Sequence, residues 1–412
     1  MKRRPRSRHS RRDENVRHLS ILDLGAFAVK ALVVELENGA ATIVGRGQAQ
    51  HMNGVSADGL LGDLEAWKTT CEEALCDAED ATEKTCGRKI VPDSALIAAP
   101  TAWLCGALGT GQVERWALET PISVDEYGEP LFRAGRRALR NLGRVTGAGK
   151  WGLLDAALMT FGVNGNPVTD PAGFRGHILS ATAFVVAVYR AAPAALRQLA
   201  DALQLEPPTL VAEPLALARA APGDGLIVQI GSATTALVLT RSGTPLAFGS
   251  VPLAGGAWIR TLVDKFHFSP ARADAALRAW SGGKLNARHA ATMQQALQPA
   301  FDAWFEALIE TLQSWKGAGL TWAPNIYLCG GASAVPGVSD LVARARWLDA
   351  LPFPYTPQVS AWDGSNVSLV KDATESRWLP DGVTTLSLAA WALRAQDKQK
   401  TDHLLRALLE IP

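Results

Sequence analysis

The feature that most constrains the fold is a pattern that occurs twice: an apolar strand, a turn that contains glycine, and a second apolar strand. It covers residues 19–34 and returns at residues 225–240, about 205 residues further along the chain. Such repetition predicts two similar lobes, each opening with a hairpin. If the two glycine turns face each other across a cleft, their backbone N–H groups could bind a phosphate chain.

Composition excludes several classes of protein. The chain has 412 residues, of which 48% are hydrophobic and 20% charged, so it is neither intrinsically disordered throughout nor a collagen. The five cysteines form no CxxC pair, which argues against a disulfide scaffold and a structural zinc site. The net charge is +1, but residues 1–12 carry seven bases and no acid. The rest of the chain is therefore mildly acidic, which argues against specific nucleic-acid binding.

Periodicity places the main helices and the chain shows no transport signal. A three- or four-residue apolar spacing predicts helices over residues 57–87, 191–205 and 297–315. No apolar segment follows the basic N-terminus, so we expect no signal peptide. The longest uncharged stretch, residues 94–113, is broken by proline and glycine, so we expect no transmembrane helix.

Three short motifs lie at the turns of these repeats. They are Asp23-Leu-Gly25 followed by Lys30, then IGSATT at residues 230–235, then GGASAVPG at residues 330–337. In this order they resemble the two phosphate loops and the adenosine-contacting turn of the actin and heat-shock-chaperone ATPase superfamily. The resemblance covers about residues 19–395. It implies an α/β, actin-like (ribonuclease H-like) fold with two lobes and a nucleotide cleft between them.

Within this superfamily the chain most resembles FtsA, the actin-like protein of bacterial cell division. Residues 160–179, which include DPAGFRG at 170–176, are similar to the end of the small subdomain that FtsA carries in place of an actin subdomain. The VPLAGG segment at residues 251–256 also matches the FtsA pattern. The resemblance therefore implies an FtsA-type inserted α+β subdomain, which we place at residues 94–176.

The resemblance also implies a site for ATP or ADP. Asp23 would hold Mg²⁺ through water. The nucleotide-binding residues that it implies are Asp23, Gly25, Lys30, Gly231, Ser232, Thr234, Thr235, Gly330, Gly331 and Ala332.

Departures from the superfamily pattern suggest that this site is degenerate. Ala26 stands where a phosphate-holding Ser or Thr is usual, and Gln229 stands where an Asp usually helps to hold Mg²⁺. A neutral amide brings no charge to a cation that prefers carboxylate oxygens. Ala233 places a Cβ where glycine lets the backbone approach phosphate. We therefore expect nucleotide binding that is weak, indifferent to Mg²⁺ or lost, and at most a weak ATPase activity.

Glu213, in the segment VAEPLALARA, is a weak candidate for a catalytic residue. It resembles the connecting motif of bacterial actins and chaperone ATPases, in which the acid lies near the metal or the attacking water. The alternative is a structural glutamate at a helix start, where the helix dipole stabilises it.

The domain plan that follows has a disordered basic arm at 1–18, a first lobe at 19–93 and 177–222, a second lobe at 223–395, and a tail at 396–412. The arm could attract anionic lipid, bind nucleic acid nonspecifically or remain solvated. The tail has an apolar stripe at helical spacing and resembles the membrane-targeting helix of FtsA. It could instead pack on the body or a partner. The membrane residues of this stripe would be Leu404, Leu405, Leu408 and Leu409.

These observations favour an FtsA-like cytoskeletal or scaffold protein in the cytoplasm, peripheral at the inner face of the cell membrane. The resemblance implies self-association into filaments and contact with an FtsZ-like division protein. Two alternatives stay open. One is a PilM-like scaffold of type IV pilus assembly, which would bind a cytoplasmic peptide of a membrane protein. The other is a small-molecule kinase of the superfamily, which needs a carboxylate base beside the second phosphate loop, where Gln229 stands.

Overall fold

A computed structural model describes residues 16–51, 63–146, 150–315, 320, 322–365, 367, 370–375, 378–394 and 400–409. The strands of the described residues are β1 (Arg17–Leu24), β2 (Ala28–Glu37), β3 (Ala40–Gln50), β4 (Ala95–Ala99), β5 (Leu104–Glu114), β6 (Trp151–Val163), β7 (Asn166–Val168), β8 (Ile178–Tyr189), β9 (Thr209–Ala212), β10 (Gly225–Ile230), β11 (Thr235–Arg241), β12 (Thr244–Val251), β13 (Asn325–Cys329), β14 (Gln358–Ala361) and β15 (Val370–Asp372). The helices are α1 (Leu64–Cys86), α2 (Gly128–Thr146), α3 (Ala192–Ala202), α4 (Glu213–Ala220), α5 (Gly255–Phe266), α6 (Pro270–Ser281), α7 (Ala287–Gln313), α8 (Val338–Arg344), α9 (Trp347–Ala350), α10 (Val383–Arg394) and α11 (Lys400–Leu408).

The two predicted hairpins open two sheets of the same topology. The first sheet has the strand order β15-β3-β2-β1-β4-β9 and the second β12-β11-β10-β13-β14. In each, three antiparallel strands form a meander and the first of them pairs in parallel with a later strand. The expectation of an actin-like pair of α/β lobes is therefore confirmed by the topology.

The strands of the first lobe are apolar on both faces because helices cover both. Val33 packs with Trp67 and Leu75 of α1 on one face. Its neighbours Leu32 and Val34 point to the other face, where α4 and α10 lie. This alternation with a period of two explains why the sequence shows a continuous apolar run and no polar face.

Helices α4 and α10 are shared by the two lobes. Their buried residues, among them Leu217 and Leu388, form one core with Ile21 of the first sheet and with Ile227 and Val238 of the second. A core that contains strands of both sheets fixes the lobes against each other. The second lobe has a separate core on the other face of its sheet, built on α5 to α9 and rich in tryptophan.

The inserted subdomain is a four-stranded antiparallel sheet, ordered β5-β8-β6-β7, with α2 packed against β5. Glycines let the helix approach the strand closely: a Cβ on Gly109 would lie 2.2 Å from the backbone nitrogen of Ala138. Side chains of α2 also bond the edge of β5, since Asn141 donates to the Leu108 carbonyl at 2.8 Å and Arg133 to that of Gln112 at 3.0 Å.

Sheet membership corrects the boundaries 94–176 that were predicted for the insertion. Strand β4 pairs with β1 and β9 and so belongs to the first lobe. Strand β8 pairs with β5 along its whole length and with β6, so it belongs to the insertion and not to the completion of the first lobe. The subdomain therefore occupies about residues 101–190. The continuous apolar pattern of β8 would fit the centre of the first-lobe sheet or of the subdomain sheet, so the sequence alone could not assign this strand to one of them.

The C-terminal leucine stripe packs on this subdomain, which corrects its assignment as a membrane surface. Leu405 has no exposed area, and Leu409 is 8% exposed and lies over Gly135 of α2. Leu408 is partly buried in the same core, whereas Leu404 is 36% exposed. The Arg406 Nε lies 3.3 Å from Asp155 Oδ1. The stripe packs on protein and not on lipid because α2 and β6 together form an apolar surface, which α11 covers.

None of the helices that the structure describes combines the length and the apolar composition needed to span a bilayer. The basic arm was predicted at residues 1–18, but β1 already begins at Arg17, which corrects the end of the arm. Residues 1–15 of the arm and the chain end at 410–412 lie outside the described residues.

We expect Leu405→Ala to release α11 from the subdomain. The loss of a buried leucine costs about 2 kcal/mol, which is about thirtyfold in a local opening equilibrium. Hydrogen exchange of the amides of residues 402–409 should quicken accordingly. Leu404→Ala is the matched control and should leave this exchange nearly unchanged. Equal exchange in both variants would show that α11 is not held by the burial of Leu405.

Candidate nucleotide site

The three predicted motifs meet at one cavity of about 430 Å³ between the lobes. This volume lies in the range of ordinary small-molecule sites. Of the predicted site residues, nine line it together with Glu213: Asp23, Gly25, Lys30, Gly231, Ser232, Thr234, Gly330, Gly331 and Ala332. The structure therefore brings together motifs that are up to about 300 residues apart in sequence.

Thr235 is the exception among the predicted residues. Its side chain is completely buried and its hydroxyl accepts a hydrogen bond from Trp304 Nε1 at 2.9 Å and donates one to the Leu253 carbonyl at 2.8 Å. These bonds tie the second hairpin to α7 and to the chain before α5. The Thr235 side chain therefore lies in the core, whereas its neighbours Thr234 and Ala236 line the cavity.

The second glycine loop is held by the N-terminus of α5. The backbone N–H of Gly255 donates to the Gly231 carbonyl at 3.1 Å, and that of Gly256 donates to the Ser232 carbonyl at 2.8 Å. Gly231 N–H donates in turn to the Thr234 carbonyl at 3.0 Å. The first N–H groups of a helix lack partners within the helix, so the loop satisfies them and is fixed in return.

The third motif turns sharply at Gly330. This residue has a φ of 89°, and a Cβ here would lie 2.4 Å from the Ile230 carbonyl oxygen, so glycine is required. Gly330 N–H donates to the Pro380 carbonyl at 2.8 Å. The turn that follows β13 is therefore hydrogen-bonded to the segment just before α10.

That segment also supplies an acid to Lys30, the residue predicted to bind phosphate. The Nζ of Lys30 lies 3.2 Å from Asp381 Oδ2, and it also donates a hydrogen bond to the Asp381 carbonyl oxygen. Both side chains are at most a third exposed. The cation that would attract a phosphate group is thus already paired by a carboxylate of the protein.

Asp23 lies in the same acidic surroundings. The pKa of Asp23 is raised from 3.8 to about 6, chiefly by burial; Lys30 opposes this rise, and the charges of Glu213 and Asp381 contribute to it. Three carboxyl groups and one ammonium group therefore share this part of the cavity. Among the described residues no cluster of His, Cys, Asp or Glu has the arrangement of a metal site. The proposed Mg²⁺ role of Asp23 thus stays a prediction.

Glu213 is anchored at the first turn of α4. Its Oε2 accepts hydrogen bonds from both the backbone N–H and the hydroxyl of Thr101, each at 2.8 Å. Glu213 is 9% exposed and starts its helix ahead of Pro214. These contacts give it the structural role of joining α4 to the turn after β4. Its carboxylate also lines the cavity, so a catalytic role remains a prediction.

Gln229, at the position where an acid was expected, is held by a neighbouring hydroxyl. Its side-chain amide donates to Thr384 Oγ1 at the start of α10. Both residues line the cavity, and Thr384 is 2% exposed. At position 229 the cavity therefore presents the dipole of a fixed amide and not the charge of the carboxylate that was expected there.

Residues that sequence reasoning missed come from the second lobe. Arg278 of α6 lies with its guanidinium 5.3 Å from the centre of the Phe27 ring, so it crosses from the second lobe to the first loop. It also pairs with Asp274, one helical turn earlier. Burial raises the pKa of Asp274, and the charge of Arg278 partly offsets this rise. Asp381 and Thr384 were missed too. No sequence motif marks these two residues, because they come close to the loops only when the chain folds.

Comparison with known proteins finds no matching protein family and no similar curated protein. Among solved structures, a chain of a PilM–PilN type IV pilus biogenesis complex is 19% identical. The match covers 93% of this chain and 99% of that one, with a TM-score of 0.61. The ethanolamine utilization protein EutJ from Carboxydothermus hydrogenoformans is 15% identical over 93% and 92% of the chains, with a TM-score of 0.49. MreB5 of Spiroplasma citri bound to AMPPNP is 14% identical over 94% and 98%, with a TM-score of 0.43.

The likeness to PilM, which spans nearly all of both chains, identifies the fold. The protein has an actin-like α/β fold with two lobes and a small α+β subdomain inserted in its first lobe. The FtsA relationship inferred from the motifs is not among these findings and remains a hypothesis.

Asp381→Asn should strengthen the binding of ATP or ADP by about tenfold, which is 1.4 kcal/mol. The variant removes a carboxylate that competes with phosphate for Lys30. Titration of a fluorescent ATP analogue measures the change. Asp349→Asn, which removes an exposed acid paired with Arg346 on the second lobe, is the matched control. Unchanged or weaker binding by Asp381→Asn would contradict the competition.

The raised pKa of Asp23 predicts a specific effect of pH on stability. The folded protein holds the Asp23 proton more tightly than the unfolded chain, so the cost of the buried carboxylate is small near pH 4, grows as pH rises from about 4 to about 6 and is complete above about 6. We expect Asp23→Asn to exceed the wild type in unfolding free energy by about 2 kcal/mol at pH 7.5. The excess should vanish near pH 4. Thermal unfolding of both proteins at several pH values measures it, and an excess that did not depend on pH would contradict the assignment.

Proposed function

We propose that the protein is an actin-like scaffold, a protein that binds and assembles and does not turn over substrate at a useful rate. The observation that carries this proposal is the pairing inside the cleft. Lys30 is engaged by Asp381, and Gln229, which stands where the superfamily has an acid, is engaged by Thr384. A hydrolytic site needs charges that are free to act on the phosphates and on the attacking water.

The cavity nevertheless suits a nucleotide in shape. Two glycine loops and the Gly330 turn surround it, and helix α5 supports the second loop. A bound ATP or ADP would have its phosphates between the loops at Gly25 and Ser232 and its adenosine near Ala332. Mg²⁺, if bound, would offset the acids around Asp23. In a scaffold, such a nucleotide stabilises one arrangement of the lobes.

The PilM-like role is favoured by helix α11. The sequence left open whether the C-terminal stripe anchors a membrane or packs on protein, and Leu405 and Leu409 are buried against the subdomain. In this role the scaffold would reach the inner face of the membrane by binding the cytoplasmic segment of a membrane protein. The similar solved structure is that of a PilM–PilN type IV pilus biogenesis complex, which supports a role with a protein partner.

The FtsA-like role in cell division is the second proposal. It is supported by the VPLAGG segment at residues 251–256, whose glycines hold the second loop, and by the DPAGFRG segment in the inserted subdomain. In this role the partners would be further copies in a filament, an FtsZ-like protein and anionic lipid. A kinase has less support, because the amide of Gln229 cannot serve as a base.

Purified protein should hydrolyse ATP at close to the rate of the uncatalysed reaction, with or without Mg²⁺. Gln229→Asp should make nucleotide binding depend on Mg²⁺, since it restores a carboxylate to the cavity. Gln229→Asn, which keeps an amide, is the matched control and should not. Phosphate release and a nucleotide titration at two Mg²⁺ concentrations give the result. Brisk hydrolysis by the native protein would overturn the proposal.

The phenotype of a gene deletion separates the two roles. Loss of surface pili in cells that divide normally is expected for a PilM-like scaffold. Filamentous, undivided cells would instead support the FtsA-like role. Cells with normal pili and normal division would contradict both.

A further inference from the structure

An exposed tryptophan stands at the far end of the inserted subdomain. Trp116 follows β5 and is 98% exposed, while Leu118, Val124 and Phe174 nearby are 47–61% exposed. The backbone joins these segments, since Ile122 N–H donates to the Phe174 carbonyl at 2.7 Å. We call these four side chains the Trp116 patch. Groups of large exposed apolar side chains mark interaction sites, whereas isolated ones need no explanation.

The loops that carry the patch are held rigidly by a buried arginine. Arg115 is 5% exposed and its guanidinium donates to both carboxylate oxygens of Glu126, at 2.6 and 3.1 Å. It also donates to the carbonyls of Gly176 and Thr120, at 3.0 and 3.1 Å. These bonds lower the pKa of Glu126 and keep it ionised. A loop fixed in this way binds a partner with little loss of conformational entropy.

The charge around the patch is negative. Residues 114–129 hold five acids and one base. Two of the acids are paired, Glu126 with Arg115 and Glu129 with Arg133 of α2. The base is the buried Arg115, whereas Glu114, Glu119 and Asp125 are exposed. In residues 170–177, Asp170 and Arg175 cancel. The partner that fits is therefore cationic, and arginine fits best because it pairs with carboxylates and stacks on the face of tryptophan.

The chain itself carries such a partner. Residues 1–12 contain Lys2 and six arginines with no acid, a net charge of +7. This arm precedes β1, whose first residue, Arg17, lies at the end of the strand that is away from the cleft. The chain leaves the lobe for the subdomain at the cleft end, and β5 then runs for eleven residues, about 35 Å, before it reaches Trp116.

We propose that the basic arm of one copy binds the Trp116 patch of the next and so links copies head to tail. The contact is heterologous, so it leaves an arm and a patch free at the two ends of any chain of copies. The inference deepens the proposed scaffold function and rests on it.

A peptide of residues 1–16 with a fluorescent label tests the contact directly. It should bind protein that lacks residues 1–12, and fluorescence anisotropy should show at least tenfold weaker binding to Trp116→Ala and to Glu119→Lys. The matched control is Tyr355→Ala, since Tyr355 is 64% exposed on the second lobe. A peptide with lysine for all six arginines keeps the charge and should bind more weakly. Equal binding by Trp116→Ala and the control would overturn the inference, and so would binding to anionic vesicles with none to the protein.

Mixing two defective proteins tests whether the arm acts between copies. Protein without residues 1–12 keeps the patch, and the Trp116→Ala protein keeps the arm. Each should sediment as a monomer alone, and the mixture should form a heterodimer and nothing larger. A mixture that stays monomeric would show that the arm does not link copies. If the full-length protein assembles equally well with Trp116→Ala, the scaffold function stands and this contact is wrong. If the full-length protein never assembles, both fail.

Discussion

The shared core around α4 and α10 is the constraint on which the rest of the structure depends. These two helices lie between the sheets, and their buried side chains pack with Ile21 of one lobe and Ile227 of the other. Close packing on both sides leaves little freedom to shift. The glycine turns that follow β1 and β10 therefore face each other across a cavity whose shape the core decides. Thr384 and Glu213 enter the cavity because they start these same helices.

Inside the cleft, side chains of the protein bond to one another at the positions that the superfamily resemblance predicts to bind phosphate and metal. Asp381 pairs with Lys30, and Thr384 accepts a hydrogen bond from Gln229. Asp23 keeps a carboxyl group whose burial is costly, and this cost is typical of a functional position that was not optimised for stability. In the proposed scaffold, a cleft of this kind would bind a nucleotide between the lobes without turning it over at a useful rate.

The inserted subdomain carries the surfaces through which the protein would meet others. One face is covered by α11 of the same chain, and its distal end presents Trp116 on loops held by Arg115. The subdomain meets the second lobe at Phe248, whose ring centre is 5.8 Å from that of Phe184. A partner bound at the distal end would therefore act on a subdomain that contacts both lobes. Through these contacts, a scaffold could respond to the binding of its partner.

The two hairpins, the three loop motifs and the long helices could be predicted from the sequence, because each depends on residues that are close together in the chain. Turn glycines and apolar periodicity predicted two facing lobes, and the resemblance of the loop motifs to the actin superfamily implied nine of the residues that line the cavity. The pairing of β8, the packing of α11 on the subdomain, the burial of Thr235 and the contact of Asp381 with Lys30 became clear only from the tertiary structure. Each of these depends on segments far apart in sequence, and a strand, a leucine stripe or an acid has the same local pattern whichever surface it finally meets.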